Sequence, residues 1–195
     1  MSTIEIPTYV PIIPLPPPVT SGSGIQTYTD PNGDLWVAQN GTAGGAWKRA
    51  RDVLHARVYR NAAFNCNSGT LTLVPMDGVY RDAWGMSDGS GIAFLVTGAF
   101  AVTMQLAFVA TVAAQWMMTR AYVGPVGSEL LLGAAQNASA IASGTWSASV
   151  TFTHVVTNAS SHVLTQVTAS GAMALSVAAG SPTWCWLSVS YLGTG

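Results

Sequence analysis

The sequence predicts an all-β protein: an antiparallel sandwich or jelly-roll head, preceded by a small β-hairpin stem and an extended, proline-rich N-terminal arm. Three observations carry this expectation. Apolar and polar residues alternate with a period of two in several segments of the longer C-terminal part. Breaks rich in Gly, Ser and Asn separate those segments. Prolines crowd the stretch from Pro7 to Pro18.

Residues 1–24 form the arm. Pro7, Pro11, Pro14, Pro16, Pro17 and Pro18 sit among Val10, Ile12, Ile13 and Leu15, and Ser21-Gly22-Ser23-Gly24 makes a flexible joint. Proline fixes φ and removes amide donors, so the segment is expected to be extended and unable to fold alone. A pre-extended apolar peptide loses little entropy when it docks into a groove. Pro11, Ile12, Ile13, Pro14, Leu15, Pro16, Pro17 and Pro18 are therefore the expected anchor to a larger partner. An unstructured tail is the alternative.

Residues 25–60 read as a stem or connector. Residues 25–29 and 34–38 are strand-like, and Asp30-Pro31-Asn32-Gly33 joins them with Pro second and Gly fourth in the turn. Asn40-Gly41 and Gly44-Gly45 mark further turns, and Trp47 closes the unit. So small a hairpin needs a neighbour, such as its copies in other chains. Residues 51–60 fit either one or two helical turns or the first strand of the next domain. The basic cluster of Lys48, Arg49, Arg51, Arg57 and Arg60 is expected to be a solvated face and not a nucleic-acid surface.

Residues 61–195 form the expected head. Leu71 and Leu73 alternate with Thr70 and Thr72. Val102, Met104, Leu106, Phe108, Ala110 and Val112 alternate with Thr103, Gln105, Ala107, Val109, Thr111 and Ala113. The same period recurs at 146–153 and at 163–169. Met173, Leu175 and Val177 follow a Ser170-Gly171 turn, and Trp184, Trp186, Ser188 and Ser190 share one face of a last strand.

Only 8% of residues are charged and the net charge is -1, against a usual charged share of about 25%. That excludes a disordered solvating chain and a long coiled coil. It also argues against binding nucleic acid through a basic face. Leu130 to Gly195 contains no Asp, Glu, Lys or Arg, and neither does Gly89 to Thr119. Either other subunits cover much of this surface, or the exposed face is made of Ser, Thr, Asn and Gly. The stretch from Gly89 to Thr119 is long enough to span a membrane, but its period of two and the lack of a basic flank on one side argue against insertion. The first residues lack the basic start of a signal peptide, so Cys66 and Cys185 read as two buried free thiols, with a disulfide between them as the alternative.

Chemistry is sparse. His55, His154 and His162 have no metal-ligand spacing with one another or with cysteine. Asp77, Asp82 and Asp88 lie close together but lack the ligand density of a calcium loop, and turn-forming is the expected role. No phosphate-cradling loop with Lys is present. The expectation is a non-enzyme without cofactor or metal. Trp146, Trp184 and Trp186 are candidates for saccharide stacking, weighed against core or subunit contacts.

Three stretches carry a resemblance: LTLVPMDGVYRDAWGMSDGSG (71–91), IAFLVTGAFAVTMQLAFVA (92–110) and VTASGAMALSVAAGSPTWCWLSVSYLG (167–193). They resemble the complement C1q-like and tumour-necrosis-factor-like jelly roll, in the version carried by bacteriophage fibres and minor structural proteins. Gly98-Ala99-Phe100 stands where that family has Gly-x-Tyr before its long strand, and Tyr191-Leu192-Gly193 ends the last strand. The run DPNGDLWVAQNGTAGGAWKRARDVLHARVYRNAA (30–63) is similar to the connector before such heads in phages of actinobacteria. Ser160-Ser161 replaces the family's Gly-Asp, and Met118-Thr119-Arg120 its Gly-Arg, so no metal or acid-dependent role carries over.

The resemblance implies a homotrimer acting as a virion fibre or spike subunit, on tail or head. The arm would hold it to capsid or tail proteins, and the head would meet the bacterial surface, with glycan as the expected receptor class. Assembly would take place in the bacterial host cytoplasm. The alternative is a capsid or tail decoration protein that binds no receptor. A glycan hydrolase is disfavoured, because paired carboxylates are missing late in the chain.

Overall fold

A computed structural model of the chain describes residues 24–39, 47–62, 64–67, 69–110, 116–125, 128–137, 144–170, 173–175 and 184–194. The anchor positions 11–18, the Asn40-Gly41 and Gly44-Gly45 turns and Gly171 lie outside the described residues.

The chain begins with β1 (Ile25–Thr29), β2 (Leu35–Gln39) and β3 (Lys48–Arg49), which form a three-stranded antiparallel sheet in that order. The Asp-Pro-Asn-Gly turn forms as expected. Gly33 takes φ +85°, a conformation that glycine enters without steric cost. Asp30 Oδ1 accepts the amides of Asn32 and Asp34, both at 2.9 Å. The Trp36 indole N–H donates to Asp30 Oδ2 at 3.1 Å.

A helix α1 (Ala50–Val53) then runs directly into β4 (His55–Tyr59). Residues 51–60 thus adopt both expected forms, one after the other. Ala56 and Val58 are buried between half-exposed His55, Arg57 and Tyr59, and this period of two places β4 inside the large sheet. The head therefore starts before residue 61, and the boundary expected between 60 and 61 falls just after one of its strands.

The remaining strands are β5 (Phe64–Cys66), β6 (Thr72–Leu73), β7 (Gly78–Asp82), β8 (Ile92–Ala93), β9 (Gly98–Ala110) and β10 (Met117–Pro125). They are followed by β11 (Leu130–Asn137), β12 (Gly144–Val156), β13 (Ser161–Ala169), β14 (Met173–Leu175) and β15 (Trp186–Gly193). One sheet runs β5-β14-β9-β15-β4-β7, with β12 along the other edge of β9. The second runs β11-β10-β13-β6, and β8 also pairs with β13. Every pairing is antiparallel.

The core lies between these sheets. On β9, Phe100, Val102, Met104, Leu106 and Phe108 are fully buried, while Ala101, Thr103 and Gln105 are half-buried. Leu187 and Val189 of β15, Val163 and Val167 of β13, and Met117 of β10 complete the layer. Each large apolar side chain so buried contributes about 1.5–3 kcal/mol. Val37 of β2, Ala50 of α1 and Leu54 belong to the same buried cluster. The hairpin's neighbour is therefore its own head, and the chain satisfies that need without a second copy.

Two local expectations change. Ser161 to Thr165 are all buried, where simple alternation was expected, because Asp88 and Glu129 lie against His162 and Gly91 lies beside Leu164, covering the face turned away from the core. The Thr165 hydroxyl is satisfied: its Oγ1 donates to the Val74 carbonyl at 2.9 Å. Trp184 precedes β15 in a turn, so it does not share a strand face with Trp186. Among the described residues no helix is long and apolar enough to cross a membrane.

Candidate functional site

The long strand pair β9–β12 builds one broad surface. Residue for residue, Gly98 to Ala110 pair with Val156 to Gly144. The inward rows are apolar except for His154 of β12, which stands opposite Phe100 and whose pKa burial lowers. The outward rows are Ala101, Thr103 and Gln105 on β9 and Ser147, Ser149, Thr151, Thr153 and Val155 on β12. Thr151 Oγ1 lies 3.4 Å from Thr103 Oγ1 across the pair. Beside β12 packs the edge strand β11, which exposes Leu130, Leu131 and Leu132. The result is an uncharged face of small and hydroxyl side chains, bordered by an apolar rim at the sandwich edge. Charge reappears only farther across the large sheet, on β4 and β7.

A second feature lies at one end of the smaller sheet. His162, in β13 and 6% exposed, stands between two carboxylates. Its Nδ1 is 3.1 Å from Asp88 Oδ2, and its Nε2 is 2.5 Å from Glu129 Oε1. Each ring nitrogen of His162 thus faces one carboxylate oxygen. Burial alone would raise the Asp88 carboxyl. The amides of Ser90 and Gly91, the His162 ring and the Ser90 hydroxyl outweigh it and hold Asp88 below its ordinary value. The clamp ties the loop before β8 and the segment before β11 to β13. Its carboxylates flank the ring from either side, and among the described residues no group of three or more His, Cys, Asp or Glu is arranged to hold a metal.

The sequence-predicted residues part company here. Asp82 and Asp88 do form turns: Asp82 accepts the amides of Met86 and Ser87 at 2.8 and 2.7 Å. Asp77 instead accepts the Asn61 amide and pairs with Arg60 at 2.9 Å. Trp184 is 40% exposed. Trp186 is half-buried beneath the Arg57 guanidinium, 4.3 Å from the ring centre. Trp146 lies in β12 opposite Phe108, and its side chain lies outside the described set. The structure thus places Trp184 just before the strand that carries Trp186 and caps the Trp186 ring with Arg57. Cys185 is a buried free thiol, and burial pushes its pKa up.

The His162 clamp escaped the sequence reading, which noted only that this residue has no metal-ligand spacing with another His or Cys. Its partners come from two distant segments, and only the turn-forming character of Asp88 gave any signal.

No protein-family model matches the chain, and no curated protein matches it. Among solved structures, the chain is similar to Eiger TNF from S. frugiperda, with a TM-score of 0.53 and 12% identity over 72% of this chain and 93% of that one. It is also similar to murine APRIL, with a TM-score of 0.52 and 14% identity over 71% of this chain and 98% of that one. These likenesses show the fold: a tumour-necrosis-factor-like jelly roll.

Proposed function

We propose that the chain is a homotrimeric structural subunit of a bacteriophage fibre or spike, held to the virion by its proline-rich arm and presenting the jelly-roll head to the host surface. One observation supports this reading above the others: the outward face of β9 and β12 carries no charged residue, and the adjoining rim exposes Leu130, Leu131 and Leu132. A monomer that faces water normally mixes charges over such an area. Exposed apolar residues along an edge strand invite pairing or burial by another chain. Copies arranged about a closed axis cover this surface without open-ended growth. Ala, Ser and Thr side chains let the sheets approach closely. The similarity of the sequence to phage fibre heads supplies the setting, and avidity from repeated weak sites supplies the mode of attachment.

The native mass of the full-length protein in solution tests the assembly. Three times the chain mass of 20.2 kDa is expected, and a monomer removes the reading. Deleting residues 1–24 should leave a folded trimer that fails to join particles; normal incorporation overturns the anchor role. Competition for phage adsorption by the purified trimer separates a receptor-binding head from a decoration protein.

A further inference from the structure

The large sheet has a second, chemically distinct region at its β4–β7 side. Arg57 of β4 pairs directly with Arg81 of β7, and Ser188 of β15 pairs with Arg57 on its other side. One strand row therefore reads Ser188–Arg57–Arg81. Next to it, His55 pairs with Ser190. Two like charges directly opposite on a strand pair are destabilising unless something lies between them to compensate.

The local backbone is shaped around this pair. The register shifts between Arg57 and Val58, which leaves Tyr80 as an extra residue on β7. Such a bulge re-aims side chains and is frequent beside functional sites. The Arg57 guanidinium lies 4.3 Å from the Trp186 ring centre and 5.5 Å from that of Tyr80, so two aromatic faces fix its position. His55, Arg57, Tyr80, Arg81, Ser188 and Ser190 line a hollow of about 260 Å³. Burial, and then the Arg81 charge, hold the His55 imidazole below its ordinary pKa. Among the described residues no carboxylate lines the hollow.

We propose that this hollow binds the oxyanion of an acidic sugar, a carboxylate or a phosphate, between Arg57 and Arg81, with Ser188 and Ser190 hydrogen-bonding to the sugar's hydroxyls. Arginine presents a planar fork that matches both anions, and the two serines add the donor and acceptor pairs that a polyol needs. The inference deepens the surface-glycan part of the proposed function and rests on it for the biological source of the sugar. It also moves the expected glycan contact. Trp186 serves by holding Arg57, and the contact passes from the tryptophans to the arginine row.

Calorimetric titration of the full-length protein tests the site. The probes are glucuronate for a carboxylate and glucose 6-phosphate for a phosphate, with glucose as the neutral control at matched ionic strength. Saturable binding of at least one acidic sugar and none of glucose is expected. Arg81 is exposed, so the variant R81Q should keep its native mass and melt no lower than the parent, since it also relieves the like-charge pair. Loss of one charged hydrogen-bond donor should weaken its binding about tenfold. Equal binding by R81Q and the parent overturns the site, as does equal binding of glucose or no saturable binding of either anion. Adsorption competition is read separately. Anion binding without competition supports the hollow and overturns the receptor reading; competition without anion binding overturns the hollow alone.

Discussion

The ring of Tyr191 occupies the space in which a side chain on Gly98 would begin. A Cβ placed on Gly98 would fall 2.6 Å from Tyr191 Cε2 and 2.7 Å from the Gly193 carbonyl oxygen. Gly98 takes φ +134°, which side-chain-bearing residues rarely adopt. The start of β9 and the end of β15 are thus fitted to each other, with Tyr191 opposite Phe100 and Gly193 opposite Ala99. Gly98→Ala is expected to destabilise the head by about 3 kcal/mol, from overpacking plus backbone strain. Gly89, at φ +83° with open space around it, is the control. Gly89→Ala carries only the strain, about 1 kcal/mol. Urea denaturation of both variants measures the difference, and equal losses would refute the packing account.

Tyr191 itself gives a prediction of the opposite sign. Its ring packs on Phe100 at 5.1 Å, and Phe100 packs on Phe94 at 4.8 Å. Its hydroxyl is buried and has no hydrogen-bond partner among the described residues, and burial pushes its pKa up. An unpaired buried hydroxyl is a cost that folding bears. Tyr191→Phe keeps the aromatic contact and removes that cost, so it should leave stability unchanged or raise it by about 1 kcal/mol. A clear fall in melting temperature would show that the hydroxyl is satisfied in solution.

The legible parts of this fold were those with an uninterrupted period. From Phe100 to Phe108 every second residue is apolar and every one of these is buried, so β9 could be read from the chain alone. The motif Tyr191-Leu192-Gly193 was legible as a strand end, but not as the partner of Gly98. β4 stayed ambiguous because its alternation of Ala56 and Val58 with His55, Arg57 and Tyr59 opens within a basic cluster, beside the short helix at Ala50–Val53. β11 gave no signal, since Leu130-Leu131-Leu132 does not alternate, and among the described strands it pairs with β10 alone. The charged features were the least visible. Asp88 and Glu129 reach His162 from 74 and 33 residues away, and Arg57 meets Arg81 only through a bulged register. Local pattern encodes burial; it does not encode which charges the topology brings together.

The His162 clamp makes stability depend on acid. Asp88 has its folded pKa below the ordinary value of 3.8. A carboxyl lowered in this way contributes stability that is fully present above the unfolded value and is lost as pH falls through the folded one. The parent and Asp88→Asn should therefore differ most above about pH 4 and converge below it. The melting temperature of both proteins across this range measures the effect. A constant gap down to the acid limit would show that the Asp88 charge does not matter.

Cys185 should behave as a core residue and not as a reactive thiol. It is fully buried, and its Sγ lies 3.3 Å from the carbonyl and 3.4 Å from the amide of Ala107 on β9. The thiolate is the reactive form, and burial disfavours it. In a Cys66→Ser background, a thiol reagent should modify Cys185 only as fast as the protein opens, and at once in denaturant. Rapid labelling of the native protein, followed by peptide mass analysis at Cys185, would contradict this burial.

The uncharged face allows the strongest test of assembly. Thr151 is exposed at the middle of β12, its hydroxyl 3.4 Å from that of Thr103, with Leu130 to Leu132 on the neighbouring edge strand. If copies of the chain cover this face, Thr151→Arg places a charge in each of the packed interfaces. An unpaired charge taken out of water costs several kcal/mol, and closure about an axis repeats that cost in every copy. The variant should fall from the trimer mass to that of a single chain of 20.2 kDa, while its far-ultraviolet spectrum remains that of a β protein. Thr151→Ser, which keeps the hydroxyl and adds no bulk, should remain assembled. A Thr151→Arg protein that still runs at the parent's mass would place the contact elsewhere on the head and remove the observation on which the fibre reading stands.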